Sequence, residues 1–272
     1  EVFQEIVYQK TIREMIEAGW LCDIRAYRVK TQADLSGIHK QHGDFAEGEL
    51  AEAVNTKARN RLAVQAYQEL AEGKKTLIFC VDVQHAKDMA VEFQRVGIAC
   101  DYVVGEINRK DRHERLENFK IGSLRVLTSV GVLTEGYDEP SLECIIHARP
   151  TLSALLHAQM TGRGTRIFPG KEALILIDLV DNTGRHELAS INSLFGLKAG
   201  FDLKGHSITK TLKTLEGLAA KKPGAPVFSA GSLEDAELIV EQFDIFNPQK
   251  LEPQHLVRSR LTRIELDWEL FS

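Results

Sequence analysis

The pattern of apolar residues between positions 75 and 180 constrains the fold of this 272-residue chain more than any other feature. Short runs of Val, Ile and Leu alternate there with amphipathic segments of about 10 to 15 residues. Continuously apolar strands separated by helices are typical of a parallel sheet that is covered on both faces. The predicted strands are 76–81, 98–104, 124–128, 142–148 and 173–180, and the predicted helices between them are 84–95, 109–120 and 152–162. The sequence therefore predicts an α/β fold whose parallel strands are joined by right-handed crossovers.

The segment before this pattern predicts three helices and a strand. Residues 1–19 have helical spacing, residues 20–29 predict a strand, and residues 45–72 predict two helices that divide at Asn55 or Thr56. The chain begins without methionine and inside a helical pattern. We therefore expect it to be a fragment of a longer protein.

Beyond the last predicted strand the regularity fades. Lys221–Pro226 predicts a linker or an exposed turn, and residues 232–246 predict an acidic helix. The chain is thus expected to consist of a connector helix (1–22), a parallel-sheet domain (23–198) and a mostly helical C-terminal extension (199–272).

The composition is that of an ordinary globular protein, with 43% hydrophobic and 27% charged residues. The net charge of −5 gives no overall basic signature, so any contact with nucleic acid would have to come from a local groove. No apolar run approaches the ~20 residues that span a bilayer, and no membrane association is expected. The four cysteines form no Cys-x-x-Cys pair, so we predict no metal site and expect a reducing cytoplasm. The oligomeric state is left open.

Two arginines three residues apart stand at the end of the helix predicted over 152–162. The segment contains Gln159, Gly162, Arg163 and Arg166. On a helix, positions i and i+3 share a face, so both guanidinium groups are expected to aim at one target. Guanidinium suits the spread negative charge of a phosphoryl-transfer transition state, and glycines allow a close approach of the backbone. The alternative is a pair of solvated arginines near a helix C-terminus, where cations are favoured.

A loop rich in Thr and Gly follows the strand that ends at Thr128. It continues through Ser129 and Gly136 to Asp138 and Pro140. Loop hydroxyl and amide groups can bind a phosphate backbone without reading bases. The Asp138 carboxylate is placed to bind a ribose hydroxyl or to contact the arginines. The alternative is an ordinary turn formed by Thr, Gly and Asp.

The segments after positions 81, 128 and 148 each follow a predicted strand. In open parallel sheets, ligands bind at the carboxyl edge of the strands. We expect these three segments to lie together at that edge.

Three segments of the chain together resemble motifs IV, V and VI of superfamily 2 helicases. They are Leu77–Asp82, Thr128–Asp138 and Gln159–Arg166. The stretch Leu133–Asp138 with Pro140 is similar to the form of motif V found in DEAH-type DNA translocases and type III restriction-like helicases. The resemblance extends over about residues 23–181.

The resemblance implies that these residues form the second RecA-like (P-loop NTPase-like) domain of a two-domain motor. In that family ATP with Mg²⁺ binds between the domains, and the N-terminal RecA-like domain of the same polypeptide supplies the P-loop lysine and the DEAH acidic residues. The other implied partner is DNA, in preference to RNA. No Gly-x-x-x-x-Gly-Lys-Ser/Thr sequence and no DEAH or DEAD tetrapeptide occur in the 272 residues. We therefore expect this chain alone to be inactive as an ATPase.

The resemblance also implies roles for individual residues. Arg166 corresponds to the arginine finger on the γ-phosphate, with Arg163 beside it, and these two are the expected catalytic residues. The residues expected to approach or position the nucleotide are Gly136, Asp138, Gln159 and Gly162. Those expected to face the nucleic-acid strand, or to couple it to ATP, are Asp82, Thr128 and Ser129.

The helix predicted over 109–120 is basic on one side. Arg109, with Lys110, Arg112 and Arg115, forms a solvated face or a patch that contacts a phosphate backbone. The nine histidines are scattered, and core or surface roles are expected for them.

Two functions other than a motor domain are consistent with parts of the sequence. One is a non-catalytic RecA-like module that binds nucleic acid or a partner. The other is a small-molecule enzyme on a doubly wound sheet, which is disfavoured because no Gly-rich turn follows the first strand.

Overall fold

The computed structural model describes residues 10–131, 133, 137–182 and 188–243. The strands in this part of the chain are β1 (Asp23–Asp34), β2 (Lys40–Gln41), β3 (Asp44–Phe45), β4 (Thr76–Phe79), β5 (Cys100–Val103), β6 (Val126–Ser129), β7 (Cys144–His147) and β8 (Ala173–Asn182). The helices are α1 (Ile12–Glu17), α2 (Glu47–Val54), α3 (Lys57–Leu70), α4 (Val83–Arg95), α5 (Arg109–Ile121), α6 (Ala154–Gly162), α7 (Ile191–Leu194), α8 (Ile208–Lys221) and α9 (Leu233–Gln242), with a 3-10 helix at Val227–Ser229.

The main sheet has six strands in the order β1-β8-β7-β4-β6-β5. Every neighbouring pair in this sheet is parallel, as the sequence predicts. Strands β4, β6 and β7 are buried along their whole length, which explains why their sequences are continuously apolar instead of alternating. The predicted α/β fold with a parallel sheet and a helical C-terminal region is confirmed.

Helices cover both faces of the sheet. On one face, Leu77 and Ile145 share a hydrophobic cluster with Met160 of α6. On the other face, Ile78 and Ile146 pack with helices α3 and α4. Adjacent residues of a strand therefore point to different helical layers, and a side chain's position along its strand decides which layer it meets.

Side-chain caps fix where the helices around the sheet begin. Thr56 accepts a hydrogen bond from the Arg59 amide and separates α2 from α3, as predicted. Asn108 caps α5, and Gly122 ends that helix with a φ of 86°. This left-handed conformation favours glycine, so Gly122 ends α5 before β6 begins.

The C-terminal region packs on the sheet instead of standing apart from it. Leu212 of α8 and Val227 of the 3-10 helix lie in the same cluster as Ile24 of β1. Helix α8, the short helix α7 and the β2–β3 hairpin were not predicted. Lys221–Pro226 leads as a turn from α8 to the 3-10 helix. In the part of the chain that the structure describes, no helix is both long and apolar enough to cross a membrane.

Candidate functional site

The two arginines of the Gln159–Arg166 segment contact two consecutive residues of the loop before β7. Arg163 Nη1 donates to the Tyr137 carbonyl oxygen at 3.1 Å. Arg166 Nε lies 2.8 Å from Asp138 Oδ1. The structure therefore joins the two sequence segments that the resemblance assigns to motifs V and VI.

The helical geometry expected for the arginines is wrong. Helix α6 ends at Gly162, Arg163 is its C-cap residue, and Arg166 lies in the turn beyond the helix. The two side chains do not share a helix face. They converge because the chain turns after Gly162 and both side chains reach Tyr137 and Asp138.

The arginines differ in exposure. The side chains of Arg166 and Asp138 are 47% and 55% exposed. Ion pairs of this kind contribute little to stability, so another anion can readily compete for the guanidinium group. Arg163 is partly buried, and its Nε has no hydrogen-bond partner among the described residues. Buried donors are normally paired, so this buried Nε is an exception.

The arginine segment lies at the amino ends of the strands. The Cys22 amide, just before β1, donates to the Thr165 carbonyl at 2.8 Å. A Cβ atom on Gly164 would lie 2.4 Å from Leu174 Cδ1 and 2.9 Å from Ile145 Cδ1, both close to the starts of their strands. Asp82 and the Arg149 segment follow the carboxyl ends of β4 and β7, and Ser129 is the last residue of β6, as predicted. The sheet thus separates the arginines from these segments.

Gly162 and Gly164 have different roles from those expected of them. Gly162 is exposed, and a Cβ there would meet no atom within 4 Å. Gly164 is buried against the sheet, where any side chain would collide with Leu174 and Ile145. The close approach that requires glycine is therefore made by Gly164 to the sheet.

Lys171 is a positioning residue that the sequence did not reveal. Its Nζ donates to the carbonyl oxygens of Gly164 at 2.6 Å and Arg166 at 3.0 Å, and lies 3.5 Å from that of Pro140. Burial lowers the pKa of the Lys171 ammonium group. Lys171 ties the arginine turn to the loop that contains Asp138. No sequence pattern marks it, because its partners are backbone carbonyls.

Two of the residues predicted to face nucleic acid are buried. Thr128 is fully buried on β6, and its hydroxyl donates to the Ala86 carbonyl at 2.8 Å. Ser129 is also fully buried, and its hydroxyl has no partner among the described residues. Direct contact between the Thr128 hydroxyl and a nucleic-acid strand is therefore not available in this structure.

Asp82 and Arg109 occupy the first turns of helices. The Asp82 carboxylate accepts from the His85 amide at 2.7 Å and so caps α4. Arg109 is exposed at the start of α5. Further along this helix, Arg115 stacks on the Tyr102 ring at 4.3 Å and pairs with Asp101 at 2.9 Å. The expected basic face of α5 is therefore divided, because Arg115 folds back onto β5.

The structure says little about Gln159 and Gly136, the other two residues expected at the nucleotide site. Gln159 is partly buried on α6. Gly136 lies outside the described residues. Their roles stay predictions.

Comparison with known proteins identifies the family of the central region. Residues 58–168 match the helicase conserved C-terminal domain. This region is a helicase C-terminal domain of the superfamily 2 type. The helicase domain contains β4 to β7 with the helices between them, and includes Asp138, Arg163 and Arg166.

Relatives resemble the chain over a greater length. Saccharomyces cerevisiae IRC3, which its name places among ATP-dependent helicases, is 33% identical over 219 residues, or 79% of this chain and 32% of its own length. The Escherichia coli type I restriction enzyme EcoKI endonuclease subunit is 26% identical, over 66% of this chain and 19% of its own. This chain thus spans about a third or less of these relatives.

One solved structure supports the fold. A fragment of a type I restriction enzyme HsdR subunit from Vibrio vulnificus superposes with a TM-score of 0.51 and 24% identity. The superposition covers 64% of this chain and 35% of the other. It agrees with the RecA-like arrangement of the helicase domain.

A buried ion pair at the carboxyl edge also escaped sequence analysis. Arg59 Nε and Nη2 donate to the two carboxylate oxygens of Asp181 at 2.9 Å and 2.8 Å. Arg59 Nη1 donates to the Ala148 carbonyl at 2.8 Å. Through one guanidinium group, α3 holds the carboxyl ends of β7 and β8 together. The bidentate geometry is of the kind that arginine, but not lysine, provides.

Proposed function

We propose that this chain forms the second motor domain of an ATP-dependent DNA helicase or translocase. The observation that carries the proposal is the convergence of Arg163 and Arg166 on Tyr137 and Asp138. It brings two guanidinium groups, which can bind phosphate, to the same loop of a helicase C-terminal domain.

In this proposal Arg166 is the arginine finger. Asp138 holds the guanidinium group of Arg166 in the absence of ATP and releases it to the γ-phosphate when the two motor domains close. Arg163, which is partly buried beside Arg166, supplies the second cation. Fixed guanidinium groups stabilise the charge that develops on the phosphoryl group, and a finger of this kind contributes about 10³ to 10⁵ in rate. Gln159 and Gly162 lie on α6, which leads to the arginines, and approach the same nucleotide.

ATP and Mg²⁺ are held mainly by an N-terminal RecA-like domain of the same polypeptide. The 272 residues contain no P-loop sequence, so the chain by itself is proposed to lack ATPase activity. Closure of two domains around ATP brings the finger to the phosphate and moves one domain relative to the other. Repeated closure steps the motor along its strand.

The nucleic-acid strand is proposed to cross the carboxyl edge of the sheet, opposite the arginines. Asp82 and the exposed Arg109 lie on the elements that border this edge. Phosphate contacts of this type are independent of base sequence and weaken as salt increases. The preference for DNA over RNA follows from the resemblance of Leu133–Asp138 to DNA translocases and agrees with the type I restriction enzyme among the relatives.

The test is DNA-stimulated ATP hydrolysis by the complete polypeptide that contains this chain. Arg166→Ala should reduce turnover by about 10³-fold or more while DNA binding is retained. Arg61→Ala is the control, since Arg61 is also an exposed arginine that pairs with a carboxylate, Glu92, at 3.2 Å. Equal turnover in the two variants would contradict the motor proposal and favour a non-catalytic binding module.

A further inference from the structure

Three ligand-type side chains meet at the carboxyl edge of the sheet, away from the arginines. His147 Nδ1 lies 2.9 Å from Asp178 Oδ1 and 3.0 Å from His157 Nε2. His157 Nε2 lies 3.5 Å from the same Asp178 oxygen. The three atoms therefore form a closed triangle, to which each residue contributes one atom.

The fold brings these residues together from three separate elements. His147 and Asp178 are register partners on the adjacent strands β7 and β8. Along β7, His147 alternates with Ile146 and so faces the same layer as Ile145, which packs with Met160 of α6. His157 lies three residues before Met160 on α6 and meets the strand pair from above. Only the tertiary structure joins them.

The cluster is buried, with His147 4%, His157 2% and Asp178 9% exposed. A hydrogen-bonded arrangement does not satisfy it well, because Asp178 Oδ1 has no hydrogen-bond partner among the described residues, although His147 Nδ1 and His157 Nε2 lie 2.9 Å and 3.5 Å from it. Two neutral imidazoles carry one N–H each, and any proton placed between the three atoms serves one edge of the triangle only.

We propose that His147 Nδ1, His157 Nε2 and Asp178 Oδ1 bind one divalent transition-metal ion, with Zn²⁺ as the preferred ion. Zinc ligands at 2.0–2.1 Å in tetrahedral geometry lie about 3.3 Å apart, and the three observed separations of 2.9, 3.0 and 3.5 Å surround that value. Two imidazoles and one carboxylate are a known zinc ligand set.

The fourth position opens to water. The three ligands line a cavity of about 380 Å³ at the carboxyl edge of β7 and β8. Arg28, the register partner of Asp178 on β1, and Arg149 also line this cavity. Their charges oppose a second cation, and the Asp178 carboxylate offsets one of the two charges of a single bound ion.

The proposed ion has a structural role. It joins the end of β7 and the middle of β8 to α6, the helix that ends next to Arg163. Binding to the folded state alone stabilises that state in proportion to the logarithm of the metal concentration. An ion at this site would fix α6 on the sheet independently of ATP or nucleic acid.

The test is Zn²⁺ binding to chelator-treated protein, followed by calorimetry and by the visible spectrum of Co²⁺ added in its place. We expect one equivalent of Zn²⁺, nitrogen- and oxygen-ligated tetrahedral Co²⁺ bands, and a melting temperature that rises with Zn²⁺. His157→Gln and Asp178→Asn should each weaken binding at least about 100-fold, which removes both effects. His39→Gln is the matched control, since His39 is an exposed histidine paired with Glu49 at 2.9 Å.

Three outcomes would overturn the proposal. They are absence of binding to the wild-type protein, loss of binding in His39→Gln, and undiminished binding in a folded His157→Gln variant. If His157→Gln fails to fold, the wild-type Co²⁺ spectrum decides, because octahedral or absent bands contradict the site that the geometry describes.

Discussion

Arg166 Nε lies 2.8 Å from Asp138 Oδ1, across the gap between the turn that follows α6 and the loop that precedes β7. Both side chains are about half exposed. An exposed ion pair of this kind contributes less than about 1 kcal/mol to stability. The pair is therefore better explained as an arrangement that orients Arg166 than as one that stabilises the fold.

The first prediction concerns the dependence of Arg166 on Asp138. Asp138→Asn in the complete polypeptide should lower DNA-stimulated ATP turnover, because the guanidinium group loses the carboxylate that orients it. The loss should be smaller than in Arg166→Ala. The double variant should be no slower than Arg166→Ala, because two residues that act through one contact are not additive. A double variant slowed by the product of the two single effects would show that the residues act independently.

The second prediction compares Gly164 with Gly162. Gly164→Ala should destabilise the fold by about 1–3 kcal/mol, because its Cβ would overlap Leu174 Cδ1 and Ile145 Cδ1. Gly162→Ala should leave the free energy of unfolding nearly unchanged, since that position is open. Urea unfolding measures both. Equal stability of the two variants would show that the turn shifts away from the sheet at little cost.

The third prediction concerns Lys171. Lys171→Met removes the donor that ties the carbonyl groups of Gly164 and Arg166 to one ammonium group. Leaving these acceptors without their donor should cost about 1–3 kcal/mol. Lys204→Met is the control, because Lys204 is half exposed and pairs with Glu234 at 3.1 Å. Thermal unfolding that is equally altered in both variants would argue against a positioning role for Lys171.

The fourth prediction concerns the buried pair of Arg59 and Asp181, whose side chains are 2% and 0% exposed. Asp181→Asn should destabilise the fold by about 3–5 kcal/mol, because it leaves the Arg59 charge buried without its partner. Arg59→Met combined with Asp181→Asn should recover part of this loss. Denaturant unfolding of the single and double variants makes the comparison, and a double variant less stable than Asp181→Asn would contradict it.

The fifth prediction is a loss of stability in acid that depends on His85. Burial, with a smaller contribution from Arg59, lowers the pKa of His85 to about 3. The unfolded chain has a pKa of about 6.5 at this residue, so it binds a proton that the folded chain excludes between these values. The stabilisation is present above pH 6.5 and decreases as the pH falls toward 3.

Between pH 7 and pH 5, His85 should account for a decrease of about 2 kcal/mol in the free energy of unfolding. His85→Gln, measured at the same pH values, should show a correspondingly flatter dependence. Identical pH dependence in the two proteins would mean that His85 is as readily protonated in the folded chain as in the unfolded one.

Much of the fold could be predicted because its determinants are local. The continuously apolar runs mark β4, β6 and β7, which are buried on both faces. Side-chain caps such as Thr56 mark helix starts. Helix α8 also has a local signal, since Ile208, Leu212 and Leu215 recur at helical spacing. The strands of the β2–β3 hairpin have two residues each, too few to show any period.

The contacts within the candidate site could not be predicted from the sequence, because they depend on the order and register of the strands in the sheet. The segment that contains Arg166 was found from its sequence, but its contact with Asp138 requires the neighbouring placement of β7 and β8. The meeting of His147 with Asp178 requires the same register, and neither residue has a sequence neighbour that suggests it. Thr128 was placed correctly at a strand end, yet its burial under α4 depends on long-range packing.

The most direct measurement of the central claim separates ATP binding from catalysis in the complete polypeptide. The variants are Arg166→Lys and the control Arg61→Lys, with kcat for DNA-stimulated hydrolysis and the Kd for ATP measured for each. A finger acts in the transition state, so Arg166→Lys should lower kcat by orders of magnitude with little change in the Kd. If Arg166→Lys instead weakens ATP binding and keeps kcat, or matches Arg61→Lys in both quantities, Arg166 is not the finger.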